Sequence, residues 1–320
     1  MSKTVYDHIK QNNRKALFLV SMFPVSLLAT FFLVLYALLY LNATSPIEQA
    51  NTLSTTIYYT KHFAWIVIST ALLWMGISWL FGDKMMLGFA GAVEIKPTTS
   101  EYKKIFNLVE NTALAAGLPR PKVYLIDDDS LNAFATGRDP KTASVAFTTG
   151  IINKLEPLEL QGVIAHEMAH IGNRDIRLNM MLISGVGIFG FLAEFLFRAG
   201  SVTSGGENKS PLPLVFFASG ITFFIFNLLI APLLQMAVSR TREYAADATA
   251  GYITRHPEAL ASALNKISKD ARVEVLDSSK KMAIACIYTP LDAEATSLFS
   301  THPAIEDRIK RLQQMAGKGF

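Results

Sequence analysis

The stretch His166-Glu167-Met168-Ala169-His170 decides how this chain is interpreted. Two histidines four positions apart on an α-helix lie about 40° apart around its axis, so both imidazoles can reach one metal ion. Glu167 lies close to the same face without being a ligand, where it can take a proton from a bound water and later return it. We therefore predict a catalytic metal site with His166 and His170 as ligands and Glu167 as the general base.

The residues before this motif predict a small mixed α/β segment. Pro157 suits the first turn of a helix that continues into the motif with apolar residues at helical spacing. Farther upstream, Thr98 and Glu101 predict a capping box at the start of another helix. Short alternating or β-branched runs make strand candidates of residues 123–125, 132–137 and 144–152.

A third metal ligand has to come from elsewhere in the chain, because a catalytic zinc ion usually has three protein ligands and one open position. The single cysteine, Cys286, excludes a cysteine-rich structural site. Glu243 and Asp247 are again four positions apart, so we predict Glu243 as the third ligand of one Zn²⁺ per chain. Asp247 then accepts a hydrogen bond from a liganding imidazole, with Arg240 nearby in support. Taken alone, this segment is better interpreted as a charged helix end; the motif helix reverses that preference.

Four apolar stretches predict membrane spans in a chain with 51% hydrophobic and 18% charged residues. A span needs roughly 20 apolar residues, and three of the stretches are long enough. The third is short, and a pair between Glu194 and Arg198 would extend it. The first is too long for the apolar core of a cleavable signal peptide, which is the alternative interpretation. The stretches are residues 16–41, 63–81, 178–193 and 211–239.

The distribution of lysine and arginine predicts that both termini and the active site face the cytoplasm. We expect the membrane to be the plasma (inner) membrane. Few basic residues lie in the loops 42–62 and 201–210, whereas most lie in 82–177 and 240–320. This bias explains the net charge of +4 without nucleic acid, because no basic stripe interleaved with aromatic residues is present. Two predicted spans separate the motif from Glu243. Because an even number of spans brings the chain back to the side from which it started, both segments lie on the same side of the membrane.

We therefore predict an α+β, mostly α fold: a helical membrane protein of about four transmembrane helices with a cytoplasmic zincin-like metalloprotease domain that contains a small β-sheet. The predicted division is an anchor with two spans, a first protease part with the motif helix, two further spans or a membrane hairpin, and a second protease part with the third ligand. These segments are residues 1–81, 82–177, 178–239 and 240–320.

With these motifs, nearly the whole chain resembles the HtpX-type membrane zinc endopeptidases, relatives of the CAAX prenyl endopeptidases. The resemblance rests on two N-terminal spans and on NAFATG at 132–137, HEMAH followed by NRD at 173–175, SRTREYAAD at 239–247 and THP at 301–303. It implies a gluzincin-like fold, zinc, a lipid bilayer, and cleavage of damaged or misfolded membrane proteins or unfolded polypeptides in quality control. The oligomeric state does not follow.

The resemblance also implies roles for residues outside the metal site. Glu243 matches the third ligand of the family, and His302 and Arg308 match residues that stabilise the tetrahedral intermediate, as cations aimed at developing negative charge would do. The residues Asn132, Ala133 and Phe134 match a segment that lies along the substrate. A metalloprotease holds its substrate extended, which an exposed strand edge does well.

Two other functions fit parts of the same pattern. A CAAX-type prenyl-peptide protease has a similar motif, but it has more spans that enclose a chamber. A non-catalytic membrane chaperone or adaptor of this fold would typically have lost Glu167 or a ligand, and all are present. A transporter would need polar residues within several spans.

The charge distribution makes a direct prediction about topology. Reporter fusions placed at Asn51 and after Phe320 are expected to lie in opposite compartments, because the loop around Asn51 is poor in basic residues and the C-terminal segment is rich in them. Activity of both reporters on one side of the membrane would mean that the number of predicted spans is wrong by an odd number. It would then contradict the prediction that the motif and Glu243 lie on the same side of the membrane.

Overall fold

The computed structural model describes residues 5–203, 213–214, 216–225, 240–269 and 303–317. They form mostly helices with one small sheet, which confirms the coarse fold class. The helices are α1 Val5–Asn42, α2 Pro46–Phe89, α3 Ser100–Ala115, α4 Thr149–Lys154, α5 Pro157–Gly172, α6 Asp175–Thr203, α7 Phe216–Ile225, α8 Arg240–Thr254, α9 Pro257–Lys269 and α10 Ile305–Ala316. The strands are β1 Val93–Glu94, β2 Lys122–Ile126, β3 Ala133–Thr136 and β4 Ser144–Thr148.

The four strands form a single sheet in the order β1-β2-β4-β3. Strands β2 and β4 are parallel, and the other two neighbours are antiparallel. Strand β3 pairs with β4 in a register that runs from Ala133 opposite Phe147 to Thr136 opposite Ser144. Because β3 has a strand neighbour on one side only, it is one of the two edges of this sheet.

All three predicted strands are present. The predicted end of one strand and the predicted cap of one helix are wrong. Strand β4 ends at Thr148 instead of continuing to residue 152, because the Thr148 hydroxyl accepts from the Ile151 amide and starts helix α4. Helix α3 begins after Thr99, whose hydroxyl accepts from the Tyr102 amide at 3.2 Å. The cap is therefore one residue later than the box predicted from Thr98, where two consecutive threonines offered the same chemistry.

Helix α5, which carries the motif, begins at Pro157 as predicted. Glu156 and Glu159 form a reciprocal capping box, in which the Glu159 carboxylate accepts from the Glu156 amide at 2.8 Å. The same carboxylate accepts from Ser262 at 2.6 Å and from Lys266 at 2.7 Å on α9. The first turn of α5 is therefore tied to α9 as well as capped.

Most of α5 is buried, which makes it the central helix of its unit. It packs against α3, α8, α9 and β3. A Cβ added to Gly162 would lie 3.1 Å from Leu260, so α5 and α9 approach closely at this glycine. Full burial of an aliphatic side chain stabilises by about 1.5–3 kcal/mol relative to exposure, so this core holds the motif helix in place. Its α5 members include Leu160, Val163, Ile164, Ala165, Met168 and Ile171.

The chain divides into two compact units. The mixed unit comprises Met1–Arg14, Phe81–Ile183 and Leu234–Phe320, and it contains the sheet and the main core. The helical unit comprises Lys15–Leu80 and Ser184–Leu233. Within the helical unit, Leu27 and Ala71 are buried together, with Trp74 and Leu192 packed against them.

Among the described residues, α2 is the one helix that is both long enough and apolar enough to cross a membrane. It has 44 residues, and only 11% of its most apolar window is buried inside the protein. The predicted first three spans lie within α1, α2 and α6, and the Glu194–Arg198 pair forms on α6. The fourth, 211–239, lies partly outside the described residues. The number of spans therefore stays a prediction.

Candidate active site

The side chains of His166, His170 and Glu243 converge inside the mixed unit. The Nε2 atoms of the two histidines are 3.1 Å apart. The Glu243 carboxylate approaches them with Oε2 at 3.7 Å from His166 Nε2 and Oε1 at 3.6 Å from His170 Nε2. All three side chains are buried, with exposed fractions of 1%, 8% and 2%.

This geometry fits a single metal ion. Ligand atoms at about 2.1 Å from a tetrahedral metal are about 3.4 Å from one another, and the observed separations of 3.1, 3.6 and 3.7 Å lie on both sides of that value. Two facing imidazole nitrogens repel each other unless a proton or a metal lies between them. Among the described residues, these three are the group of His, Cys, Asp or Glu side chains that could hold a metal.

The packing of α5 against α8 brings the three donors together. His166 and His170 lie one turn apart on α5, and Glu243 lies in the first turn of α8. These two helices make the most extensive contact between elements of the mixed unit. The spacing of the motif thus selects one face of α5, and the helix packing brings the carboxylate to that face.

On one side of the cluster, His166 contacts Asp247, the residue predicted to support a ligand. Its Nδ1 is 3.0 Å from Asp247 Oδ1. Asp247 is in turn held by Arg308 of α10, which donates from Nε to Oδ2 at 2.8 Å and from Nη2 to Oδ1 at 2.7 Å. Arg308 is fully buried, with an exposed fraction of 0%, and its Nη2 is 3.5 Å from His166 Nε2. Arg308 therefore lies at the site and also orients Asp247.

On the other side, His170 contacts a residue to which the sequence analysis assigned no role. His170 Nδ1 is 2.9 Å from Asp175 Oδ2, and Asp175 Oδ1 is 3.1 Å from Nε of Arg242. Asp175 is the first residue of α6, and Arg174 before it has a left-handed φ of 59° that turns the chain back towards α5. The NRD sequence directly after the motif helix was the signal that would have found Asp175.

The charges around the two histidines support the metal assignment independently. Four buried carboxylates face two buried guanidinium groups, so the site lacks positive charge when both imidazoles are neutral. A divalent cation would restore neutrality, and buried charges are stable only when they are compensated. The carboxylates belong to Glu167, Asp175, Glu243 and Asp247, and the guanidinium groups to Arg242 and Arg308.

The pKa shifts agree with this lack of positive charge. Burial alone would lower the pKa of His166, but the facing carboxylates of Asp247 and Glu243 outweigh it and raise the pKa to about 9. Burial raises the pKa of Glu167. Burial would also raise the pKa of Asp247, but Arg308 overcomes it and lowers that pKa to about 2. The additional proton that His166 carries below this pKa therefore supplies part of the positive charge that a metal would bring.

The predicted substrate-binding residues lie in and beside β3. Asn132 is 3% exposed, and its Oδ1 accepts from the amide of Ala133 at 2.8 Å. Phe134 is 1% exposed and packs in the core with Met86, so its side chain supports β3 from beneath and does not line the unpaired edge. The amide of Ala135 donates to the Glu167 carboxylate, and β3 therefore lies directly beside the motif.

The side chains of two residues with predicted roles, Arg240 and His302, lie outside the described part of the structure. Arg240 is the first residue of α8, but its side chain lies outside the described part of the structure. His302 lies outside the described residues altogether. Their roles stay predictions.

Residues 99–316 match the model of peptidase family M48. The chain belongs to peptidase family M48. It is 38% identical to the protease HtpX homolog of Dictyoglomus thermophilum, over 98% of this chain and 95% of that protein. It is 37% identical to the protease HtpX homolog of Thermoanaerobacter pseudethanolicus, over 98% of both chains. The resemblance inferred from the motifs is confirmed, and the protein is a metallopeptidase.

A solved structure is also similar. The crystal structure of S. mikatae Ste24p is 17% identical, with a TM-score of 0.43 over 93% of this chain and 66% of that one.

The M48 site predicts that metal binding becomes tighter as pH rises. Below about pH 9 the metal-free protein carries a proton on His166 that the metal has to displace, so the affinity for Zn²⁺ is expected to rise about tenfold per pH unit between pH 7 and 9 and then to level off. Isothermal titration of the metal-free, detergent-purified protein at several pH values measures this slope.

Histidine variants provide the matched control. His166→Ala is expected to abolish stoichiometric metal on elemental analysis, whereas His256→Ala is expected to retain it, because His256 is exposed and pairs with Glu258. Full metal occupancy in His166→Ala, or an affinity independent of pH, would contradict this assignment.

Proposed function

We propose that the protein is a zinc-dependent endopeptidase of the plasma membrane that cleaves damaged or misfolded membrane proteins, or unfolded polypeptides, on the cytoplasmic side. The observation that carries this proposal is the convergence of two imidazoles and one carboxylate beside the separate carboxylate of Glu167. The known family supports peptide-bond hydrolysis. Our proposal adds to family membership the identity of the metal as zinc, the cytoplasmic orientation of the active site and the class of substrate.

Zinc is the metal that this donor set favours. Two histidines and one glutamate leave one position open among the described residues, which is the arrangement typical of catalytic zinc sites in peptidases. A site for magnesium or calcium would consist of oxygen ligands alone. When bound, the ion would supply a Lewis acid that polarises the scissile carbonyl group and makes a coordinated water more acidic.

Glu167 is suited to move the proton. It is buried beside the cluster, and burial raises its pKa above the ordinary value for glutamate. A carboxylate with a raised pKa accepts the proton of the attacking water and then gives it to the leaving amine nitrogen at a pH close to neutral. Its hydrogen bond with the Ala135 amide orients it towards β3, where we place the substrate.

Arg308 is suited to stabilise negative charge on the substrate. Its Nε and Nη2 are engaged by Asp247, whereas its buried Nη1 has no hydrogen-bond partner among the described residues. Nη1 lies 3.7 Å from Glu243 Oε2, which places a fixed N–H donor next to the cluster. A preorganised donor in a buried site stabilises a developing oxyanion strongly. His302 would act with it, as the family resemblance implies.

All four residues of β3 are buried, and the edge of β3 that has no strand partner in the described part of the chain is suited to hold an extended substrate. The Thr148 amide donates to the Asn132 carbonyl oxygen at 3.0 Å, so the residues that bond with β4 alternate from Asn132 onwards. The peptide groups of Ala133 and Ala135 therefore point away from β4, and Ala135 points at Glu167. A substrate strand paired at this edge would pass beside the general base and the metal ligands.

The helical unit supports a membrane location. Large apolar side chains of α2, such as Trp65 and Leu73, are each 67% exposed, which water would not favour and lipid would. Four spans, cytoplasmic termini and the division at residues 81, 177 and 239 follow from the sequence pattern and belong to this proposal. A protease anchored in this way reaches membrane proteins first, which supports a role in their quality control.

The general-base assignment is tested by Glu167→Gln. An amide cannot accept the proton, so proteolysis of casein or self-cleavage after adding Zn²⁺ is expected to fall by about 10²–10⁴-fold, with metal content unchanged. Glu110→Gln, the same change at an exposed position on α3, is expected to retain wild-type turnover. Normal turnover by Glu167→Gln would remove Glu167 from the mechanism.

The substrate edge is tested by Asn132→Ala. Loss of its carboxamide frees the Ala133 amide and removes the polar group at the start of the edge, so kcat/KM for a peptide substrate is expected to fall severalfold. Zinc content should be unchanged, and the cost in stability should be about 1 kcal/mol. Asn265→Ala, at an exposed position on α9, is the control. Unaltered cleavage, or a loss that follows melting temperature alone, would rule out this edge.

A further inference from the structure

The two metal-binding histidines have matching surroundings. His166 Nδ1 faces a carboxylate that a buried arginine holds, and so does His170 Nδ1. The first arrangement uses Asp247 and Arg308, of which Asp247 was expected to support a ligand. The second uses Asp175 and Arg242, to which neither the motif nor the family match assigns a role.

We propose that Asp175 and Arg242 are positioning residues that hold His170 with its Nδ1 protonated and its Nε2 lone pair directed at the metal. This proposal rests on the metal site of the proposed function. Asp175 acts through His170, and Arg242 acts through Asp175.

Hydrogen-bond chemistry determines the tautomer. Arg242 Nε lies 3.1 Å from Asp175 Oδ1 in a buried ion pair, and a guanidinium group carries donors only, so Oδ1 faces it as the negative partner. Oδ2 lies 2.9 Å from His170 Nδ1 and accepts from it. The other ring nitrogen, Nε2, is then left with a lone pair, and it is the atom that faces His166 Nε2 and Glu243. An imidazole oriented in this way binds metal without changing its tautomer.

The pair also connects the two chain segments that supply the ligands. Asp175 follows the motif helix across a short turn, whereas Arg242 directly precedes the ligand Glu243 on α8. Arg242 is 4% exposed, and its Nη2 donates to Asn179 Oδ1 on α6 at 3.3 Å. One buried ion pair therefore fixes the start of α8 relative to His170, so the distance between the second and third ligands depends on it.

The test is the affinity for Zn²⁺, measured by chelator competition on the full-length, detergent-purified, metal-free protein. In Asp175→Asn the amide oxygen has to face Arg242, so the NH₂ group faces His170 Nδ1 and favours the tautomer that carries its proton on Nε2. Affinity for Zn²⁺ is expected to fall about 10–100-fold, with little change in the melting temperature of the metal-free protein. Asp127→Asn, an exposed aspartate after β2, should match the wild type.

A second variant separates tautomer control from a general structural role. In Asp175→Asn/Arg242→Gln the introduced glutamine can accept from the NH₂ group of the introduced asparagine, which frees the asparagine oxygen for His170. The double variant should therefore regain most of the lost affinity, whereas a purely structural pair would lose more. Should Asp175→Asn fail to fold, Asp175→Ser is measured in its place, and a loss in the same direction is expected.

The possible outcomes are distinct. Wild-type affinity for Zn²⁺ in the folded Asp175→Asn or Asp175→Ser protein overturns this proposal, as does a double variant that binds more weakly than the single one. Absence of stoichiometric Zn²⁺ binding by the wild type would instead overturn the proposed function on which it rests.

Discussion

Compensation of buried charge around helix α5 is the constraint on which the rest of this structure depends. The motif places two imidazoles and a glutamate on a helix whose other residues form the core, where an uncompensated charge is strongly destabilising. Carboxylates and arginines from other segments meet there, and the charges reach neutrality when a divalent cation is added. The raised pKa of His166 and of Glu167 shows the same need in the absence of metal.

The site is assembled from elements that are held by different forces. Apolar packing with α9 and the Glu159 contacts hold α5, whereas ion pairs hold the residues that surround its histidines. Hydrophobic packing does not select direction, but an ion pair with bidentate geometry does. The core therefore sets where the motif helix lies, the bidentate Arg308–Asp247 pair fixes the carboxylate beside His166, and the Arg242–Asp175 ion pair compensates the charge beside His170. A peptidase needs both, because small displacements of its ligands cost catalysis.

Strand β3 connects this polar centre to substrate recognition. Strand β3 is an edge of the sheet, and Phe134 packs one of its faces against the core. The amide of Ala135, which points away from β4, donates to the carboxylate of the general base Glu167. The strand can thus orient Glu167 through the Ala135 amide and offer its outward carbonyl oxygens to an extended peptide. Membership of family M48 agrees with a site of this kind. The apolar exposed helix α2 adds a second surface whose chemistry suits lipid.

The sequence by itself determined the motif face, the start of α5 at Pro157 and three strands, and it predicted Glu243 and Asp247, because each depends on spacing within one element. Only the tertiary structure decided which side chains from separate elements meet. It brought Asp175 and Arg242 to His170, directed Arg308 to Asp247 and buried Phe134 under the edge strand. Periodicity gives the direction of a side chain around its own helix or strand, but partners distant in sequence are selected by packing and by compensation of buried charge.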